Sequence, residues 1–177
     1  MKAAIISDYN APVSVTDVAI PTLLDDSVMI EVHAAGVNPV DNYLRAGYLK
    51  GVLTLKFPYT LGYDIAGVVT EVGKDVTKFA VGDAVFARPN GMQAGTFAEF
   101  AVIKEVDLAK KPHNINFEEA ASLPLVSLTA WQALVQRAHI KAGDKVLIHA
   151  GSGGVGSIGI QIAKSIRSEE RRVGKEC

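Results

Sequence analysis

The chain reads as two domains in series, an α+β domain built mainly of short strands and then the opening of an α/β domain. Three observations predict this. Between Leu61 and Ala87 the sequence supplies Val68, Val69, Val72, Val76 and Val85 and is punctuated by Gly62, Gly67, Gly73 and Gly82. That is the pattern of short strands that turn at bulges and corners. Clear helical spacing begins only at Phe117. From Lys145 to Ile166 an apolar strand, a glycine-rich turn and an apolar-striped helix then follow one another without a break.

Composition bounds the function classes. The chain has 177 residues, 49% of them hydrophobic, and a formal net charge of −1. It is long enough for a sizeable core. Near-neutral charge gives no electrostatic case for nucleic acid or a membrane surface as partner. No apolar run approaches the ~20 residues needed to span a bilayer. The opening Met1–Asp8 is too short and too soon acidic for a signal peptide. Cys177 is the only cysteine, which excludes a disulfide framework and a thiolate metal cluster. A cytoplasmic protein is expected.

Taken in order, Ala3–Ile6 is a short apolar strand. Val28, Ile30 and Val32 alternate with Met29, Glu31 and His33, predicting one buried and one wet face with His33 at the surface. Asn38-Pro39-Val40-Asp41 reads as a helix start, with Asn38 at the N-cap and Pro39 at the first helical position. Gly47 suits the stop of this helix over 39–46, which carries Asp41, Tyr43 and Arg45. Strands follow over 61–87 and 95–104, and together these predict a barrel-like β domain. Phe117–Ala121 is a helix capped by Asn116. A second helix begins at Pro124 with a stripe of Leu128, Trp131, Leu134, Val135 and Ala138, Trp131 facing the core. Ala142-Gly143-Asp144 turns the chain into the next strand.

Val146–Ala150 is almost wholly apolar, as expected of a strand buried on both faces of a parallel sheet, with His149 a satisfied core histidine. Gly151, Ser152, Gly153, Gly154, Val155 and Gly156 fit G-x-G-x-x-G. Val155, Ile158, Gly159, Ile162, Ala163 and Ile166 then give the helix its stripe. This order is the opening unit of a Rossmann dinucleotide-binding fold. A diphosphate is held by backbone N–H groups at a helix N-terminus, where unpaired donors and the helix dipole favour negative charge. The first glycine allows the turn, the second a close approach of backbone to phosphate, and the third close packing of helix on strand. A tight turn that binds nothing is the competing reading.

Arg167–Cys177 breaks the pattern, with four basic and three acidic residues and no apolar face. This string resembles a sequencing adapter read as codons. It is therefore expected to be an artefactual tail over 167–177, with the natural protein continuing past Ile166.

The spaced motifs resemble a known family. Gly62-Tyr63-Asp64-x-x-Gly67, with Gly73, Val76, Gly82-Asp83 and Val85, resembles the signature block of the medium-chain dehydrogenases/reductases. Ala150-x-x-Gly153-Gly154-Val155-Gly156 resembles that family's cofactor turn. Asn38-Pro39-Val40-Asp41 and Ser127-Leu128-Thr129-Ala130 resemble its zinc-independent, quinone-oxidoreductase-like, NADP-dependent branch. The likeness implies a GroES-like β-barrel domain over 1–122. It also implies a Rossmann domain over 123–166, truncated after its first strand, glycine turn and helix. The zinc enzymes of the family carry cysteine where Asn38 stands and His-Glu where Tyr63-Asp64 stands. An amide and a phenol are not typical zinc ligands, so no metal is expected.

The resemblance further implies an NADPH-dependent oxidoreductase, with NADH as the alternative donor, that reduces quinones or α,β-unsaturated carbonyls and forms a homodimer. Asn38 and Thr129 would contact the nicotinamide end, and Tyr43 would orient substrate or relay a proton. Each has a plainer alternative: Asn38 a helix cap, Thr129 an ordinary helix residue, Tyr43 a packing aromatic. Asp41 and Asp64 read as structural carboxylates. A nucleotide-binding protein without turnover is the alternative function. The chain as it stands is expected to be poorly soluble and inactive, because Val146, Leu147 and Ile148 lack sheet neighbours.

Overall fold

A computed structural model describes residues 1–90 and 95–167 and the backbone of 169–173. Cys177 and the remainder of the expected tail, Ser168 and 174–176, lie outside the described residues. The chain divides into two units, Met1–Pro124 and Leu125–Cys177.

The first unit is built on β1 (Lys2–Ile6), β2 (Ser14–Asp17), β3 (Ser27–Ala34), α1 (Pro39–Arg45), β4 (Tyr59–Thr60), β5 (Ile65–Val72), β6 (Ala84–Ala87), β7 (Phe100–Lys104), β8 (Leu108–Lys110) and α2 (Phe117–Ala121). The strands form two antiparallel sheets, in the orders β2-β1-β4 and β7-β3-β5-β6-β8. The barrel-like domain expected from the strand pattern is built from these two sheets, which do not close into one; the bridge between Ala3 and Ala98 and the Ala4 N–H donated to the Phe97 carbonyl at 2.8 Å are among the bonds that link them.

The core lies on one face of the larger sheet, where Val28, Ile30, Ile65, Val69, Val85 and Ile103 are all but inaccessible to solvent. Burying an aliphatic side chain of this kind is worth about 1.5–3 kcal/mol. The alternation expected of β3 fails at Met29, which is only 4% exposed, because the strand's register against β5 shifts between Met29 and Ile30. A bulge re-aims side chains in this way. Val32 is half-buried, and His33 is exposed as expected, stacked on Phe117 with ring centroids 4.4 Å apart. Gly67 explains the closeness of β5 to β3: a Cβ there would stand 2.0 Å from the Glu31 carbonyl oxygen. Helix α2 carries the anticipated cap. Asn116 Oδ1 accepts from the Glu119 N–H at 2.7 Å, and Glu119 Oε2 accepts from the Asn116 N–H at 2.9 Å.

The second unit holds α3 (Pro124–Trp131, entered at the unit boundary), a π-helical continuation over Gln132–Arg137, β9 (Lys145–His149), α4 (Gly154–Ser165) and β10 (Glu169–Val173). β10 runs parallel to β9, with Glu169 opposite Lys145 and Val173 opposite His149. The expected strand–turn–helix is therefore followed by a second strand. Its backbone takes up hydrogen bonds that β9 would otherwise leave open along one edge.

Several burial expectations are corrected here. β9 alternates between half-buried and exposed, with Leu147 55% exposed and His149 at the surface rather than in a core. Trp131 is 48% exposed, whereas Ala130 beside it is buried. On α4 the buried face is Gly156, Gly159, Ile160 and Ala163, while Val155 is 41% exposed. In each case the apolar stripe exceeds the surface available to cover it. The π-turn also shifts the phase of the stripe after Trp131.

Candidate functional site

Two places carry the residues singled out by sequence, one in each unit. In the first unit, Asn38 precedes α1 as its N-cap residue, with extended backbone, and is 7% exposed. Its backbone N–H donates to Asp41 Oδ2 at 2.7 Å. Its side chain faces the Asp41 N–H in a capping-box arrangement, without a full hydrogen bond to the helix end. Asn38 Nδ2 donates to Asp64 Oδ2 at 2.8 Å, across 26 residues of chain. Residue 38 is thus held by two carboxylates, one from the first turn of α1 and one beside the start of β5. Both are almost fully buried, Asp41 at 4% and Asp64 at 1% exposure.

Around this pair lies a polar cluster that the sequence did not announce. Burial raises the Asp41 carboxyl above its ordinary range, although the N–H groups of Asn38 and Gly62 pull it down. Burial pushes the Tyr59 hydroxyl far upward, with the neighbouring Tyr63 phenol and the Asp41 charge adding to the effect. The side-chain atoms Asp41 Oδ1, Tyr59 OH and Thr96 Oγ1 are buried without a hydrogen-bond partner. The Arg88 guanidinium sits 5.3 Å from the centre of the Tyr63 ring. Tyr59 belongs to a two-residue strand and carries no spacing signal, so no sequence pattern could have marked it. Tyr43 lies on α1, 52% exposed, its ring 6.1 Å from that of Tyr48. An exposed phenol is open to a ligand and adds nothing to a core.

In the second unit, the chain leaves β9 at Ala150 with φ +53° and turns through Gly151, Ser152 and Gly153 into α4, with Gly153 at the N-cap. The Gly153 N–H donates to the Ala150 carbonyl at 2.9 Å, and the first bond of the helix runs from the Ser157 N–H to the Gly153 carbonyl at 2.8 Å. The N–H groups of Gly154, Val155 and Gly156 precede that first bond and point out of the helix start, as an anion site requires. Gly156 is buried, and a Cβ there would stand 2.2 Å from the Ala150 carbonyl oxygen. The third glycine is therefore needed for close packing of helix on strand. A groove of about 340 Å³ opens beside the turn, lined by Ala130, Leu134, Leu147, Ala150, Gly153 and Val155 among others. Thr129 is exposed, and its hydroxyl donates to the Leu125 carbonyl one turn back at 2.7 Å. Its lone pairs stay available. The zinc positions hold no thiolate or imidazole: the Asn38 amide nitrogen is already donating to Asp64, and Tyr63 is a phenol. That donor set does not suit zinc.

Residues 24–113 match the family model of the alcohol dehydrogenase GroES-like domain. The chain is 38% identical over 169 residues to quinone oxidoreductase from Pongo abelii, covering 93% of this chain and 50% of that protein. It is 41% identical over 176 residues to the chloroplastic NADPH-dependent alkenal/one oxidoreductase of Arabidopsis thaliana, covering 94% and 45%. Among solved structures, an alcohol dehydrogenase superfamily protein from Novosphingobium aromaticivorans superposes with a TM-score of 0.93 at 38% identity, covering 99% of this chain and 53% of that one. The chain spans about half the length of the curated relatives it matches.

Proposed function

We infer the function from family membership: the chain belongs to the alcohol dehydrogenase GroES-like family and, among the medium-chain dehydrogenases/reductases, to the quinone-oxidoreductase-like branch. The whole protein reduces quinones or α,β-unsaturated carbonyls with NADPH, NADH being the alternative donor. The observation that carries this reading is the likeness to a quinone oxidoreductase and to an alkenal/one oxidoreductase through both units of the chain.

The glycine turn fits the cofactor, because Gly156, with no Cβ to strike the Ala150 carbonyl, lets the helix start close against the strand and present its first N–H groups at the turn. The N–H groups of Gly154, Val155 and Gly156 hold the diphosphate, and Gly151, Ser152 and Gly153 shape the turn that presents them. Bound NADPH supplies the hydride. By likeness to the family, Asn38 and Thr129 contact the nicotinamide end, and Tyr43 orients substrate or gives up a proton. Reduction of an enone or quinone places negative charge on the carbonyl oxygen, and a positioned hydrogen-bond donor meets it without a metal. On the family likeness the whole protein is proposed to be a homodimer, and on its composition to act in the cytoplasm.

Oxidation of NADPH by the complete protein, followed by its absorbance with a quinone or an enone present, is the test. Turnover that Gly156→Val abolishes is the expected result. Nucleotide binding without oxidation would instead mark a non-catalytic nucleotide-binding protein. Stoichiometric zinc in the native protein would overturn the metal-free reading.

A further inference from the structure

We propose that Asp64 is a positioning residue that fixes which end of the Asn38 amide a ligand meets, an inference that rests on the nicotinamide role given to Asn38 above. Three observations carry it. Asp64 is 1% exposed, and its Oδ2 takes the Asn38 Nδ2 at 2.8 Å. That bond runs from the NH2 group, so the amide is held with its NH2 toward Asp64 and its oxygen toward the start of α1, where the Asp41 N–H faces it. On the main chain, Asp41 Oδ2 takes the Asn38 N–H at 2.7 Å, so backbone and side chain are both pinned. Finally, the loop before Asn38 is pressed onto Asp64. The Gly36 N–H donates to the Asp64 carbonyl at 3.3 Å, and a Cβ on Gly36 would stand 2.5 Å from the Ala121 carbonyl oxygen and 3.3 Å from Asp64 Oδ2 itself. Any side chain at position 36 would push against the oxygen that orients the amide.

The consequence is a stated polarity. Asn38 Oδ1 faces the Asp41 N–H and keeps a second lone pair for a ligand, so the group recognised there is a hydrogen-bond donor, an amide N–H or a hydroxyl. The cysteine that the family's zinc enzymes carry at this position would offer a thiolate to a metal. In this chain the same position is converted into a fixed amide.

A double-mutant cycle on the complete protein tests this, using Asn38→Ala, Asp64→Leu and the pair, with Asp64→Asn as the conservative control. The readouts are KM and Kd for NADPH and, separately, the thermal midpoint. Asp64→Leu should raise KM and Kd for NADPH about tenfold, the scale of one buried hydrogen bond to a charged group, while KM for the quinone stays unchanged. Asp64→Asn retains an acceptor and should stay within about threefold of the parent protein. In the Asn38→Ala background, Asp64→Leu should add nothing to KM. Additive effects, or a fall in thermal midpoint with KM unmoved, would reduce Asp64 to a structural carboxylate.

The side-chain amide protons of Asn38, observed by 1H–15N NMR, keep this test separate from the proposed function and serve if Asp64→Leu fails to fold. If the parent protein neither binds nor oxidises NADPH, the functional reading fails. The pinning still stands if that proton pair is slow to exchange in the parent and fast in Gly36→Ala. Equal exchange in both would overturn it.

Discussion

The two units use similar residues to different effect. In the first, apolar side chains of β3, β5, β6 and β7 meet on one face of a five-stranded sheet, and Val28, Ile30 and Ile65 are fully buried. In the second, β9 is at least as apolar in sequence, yet Leu147 is 55% exposed and Val155, across the glycine turn, 41%. The difference lies in what each element is given to pack against. A strand becomes core when sheet neighbours lie on both edges and a layer covers its face. In the described residues β9 has a single strand neighbour, β10. An apolar run is a demand for burial, and only the rest of the fold meets it.

The largest expected effect that tests this contrast is Ile65→Ala. Removing a fully buried aliphatic side chain should cost about 2–5 kcal/mol, read as a shift in the urea midpoint of the first unit. A loss below about 1 kcal/mol would mean that the first unit is not the well-packed member of the pair. Next comes Gly156→Ala, whose methyl group must displace the Ala150 carbonyl at a cost of about 1–3 kcal/mol. Hydrogen exchange should rise through α4 and β9 while β3 and β5 keep their protection.

A pH effect of smaller size belongs to the first unit alone. Asp41 has its carboxyl raised in the folded state by burial. It therefore favours folding most fully below its unfolded pKa of about 3.9, and that contribution is lost as pH rises through the higher folded value. Asp41→Asn, which keeps an acceptor for the Asn38 N–H, should remove this decline. An unchanged slope of stability against pH between the two proteins would contradict the assignment. Glu105 works in the opposite sense: the N–H groups of Lys78 and Thr77 lower it, so its contribution is present above its ordinary range and lost on acidification. The variant pair Asp41→Asn and Glu105→Gln should therefore tilt the pH profile in opposite directions. The smallest effect is Leu147→Ala, expected to change stability by less than about 0.5 kcal/mol because the side chain already faces solvent. A core-sized loss there would show that β9 is covered after all.

How much was legible follows from the range of the interaction concerned. The caps of α2, the helix start at Asn38-Pro39 and the glycine turn at 151–156 were readable because their partners lie within a few residues. The open arrangement of the sheets, the buried Met29 and the exposed Trp131 were not, because strand register and the covering layer are set by residues far along the chain. The candidate site divides the same way. Asn38 could be found from its motif, but not that its amide NH2 reaches Asp64.

The sequence by itself determined where the backbone must turn, cap and come close, since those needs are met by neighbours in the chain: glycine at 156, asparagine at 116, proline at 39. Only the tertiary structure decided which apolar faces are dry and which way the Asn38 amide points. Both depend on groups that folding brings together from distant positions, and a buried carboxylate acts on an amide only once the two have been placed within hydrogen-bond reach.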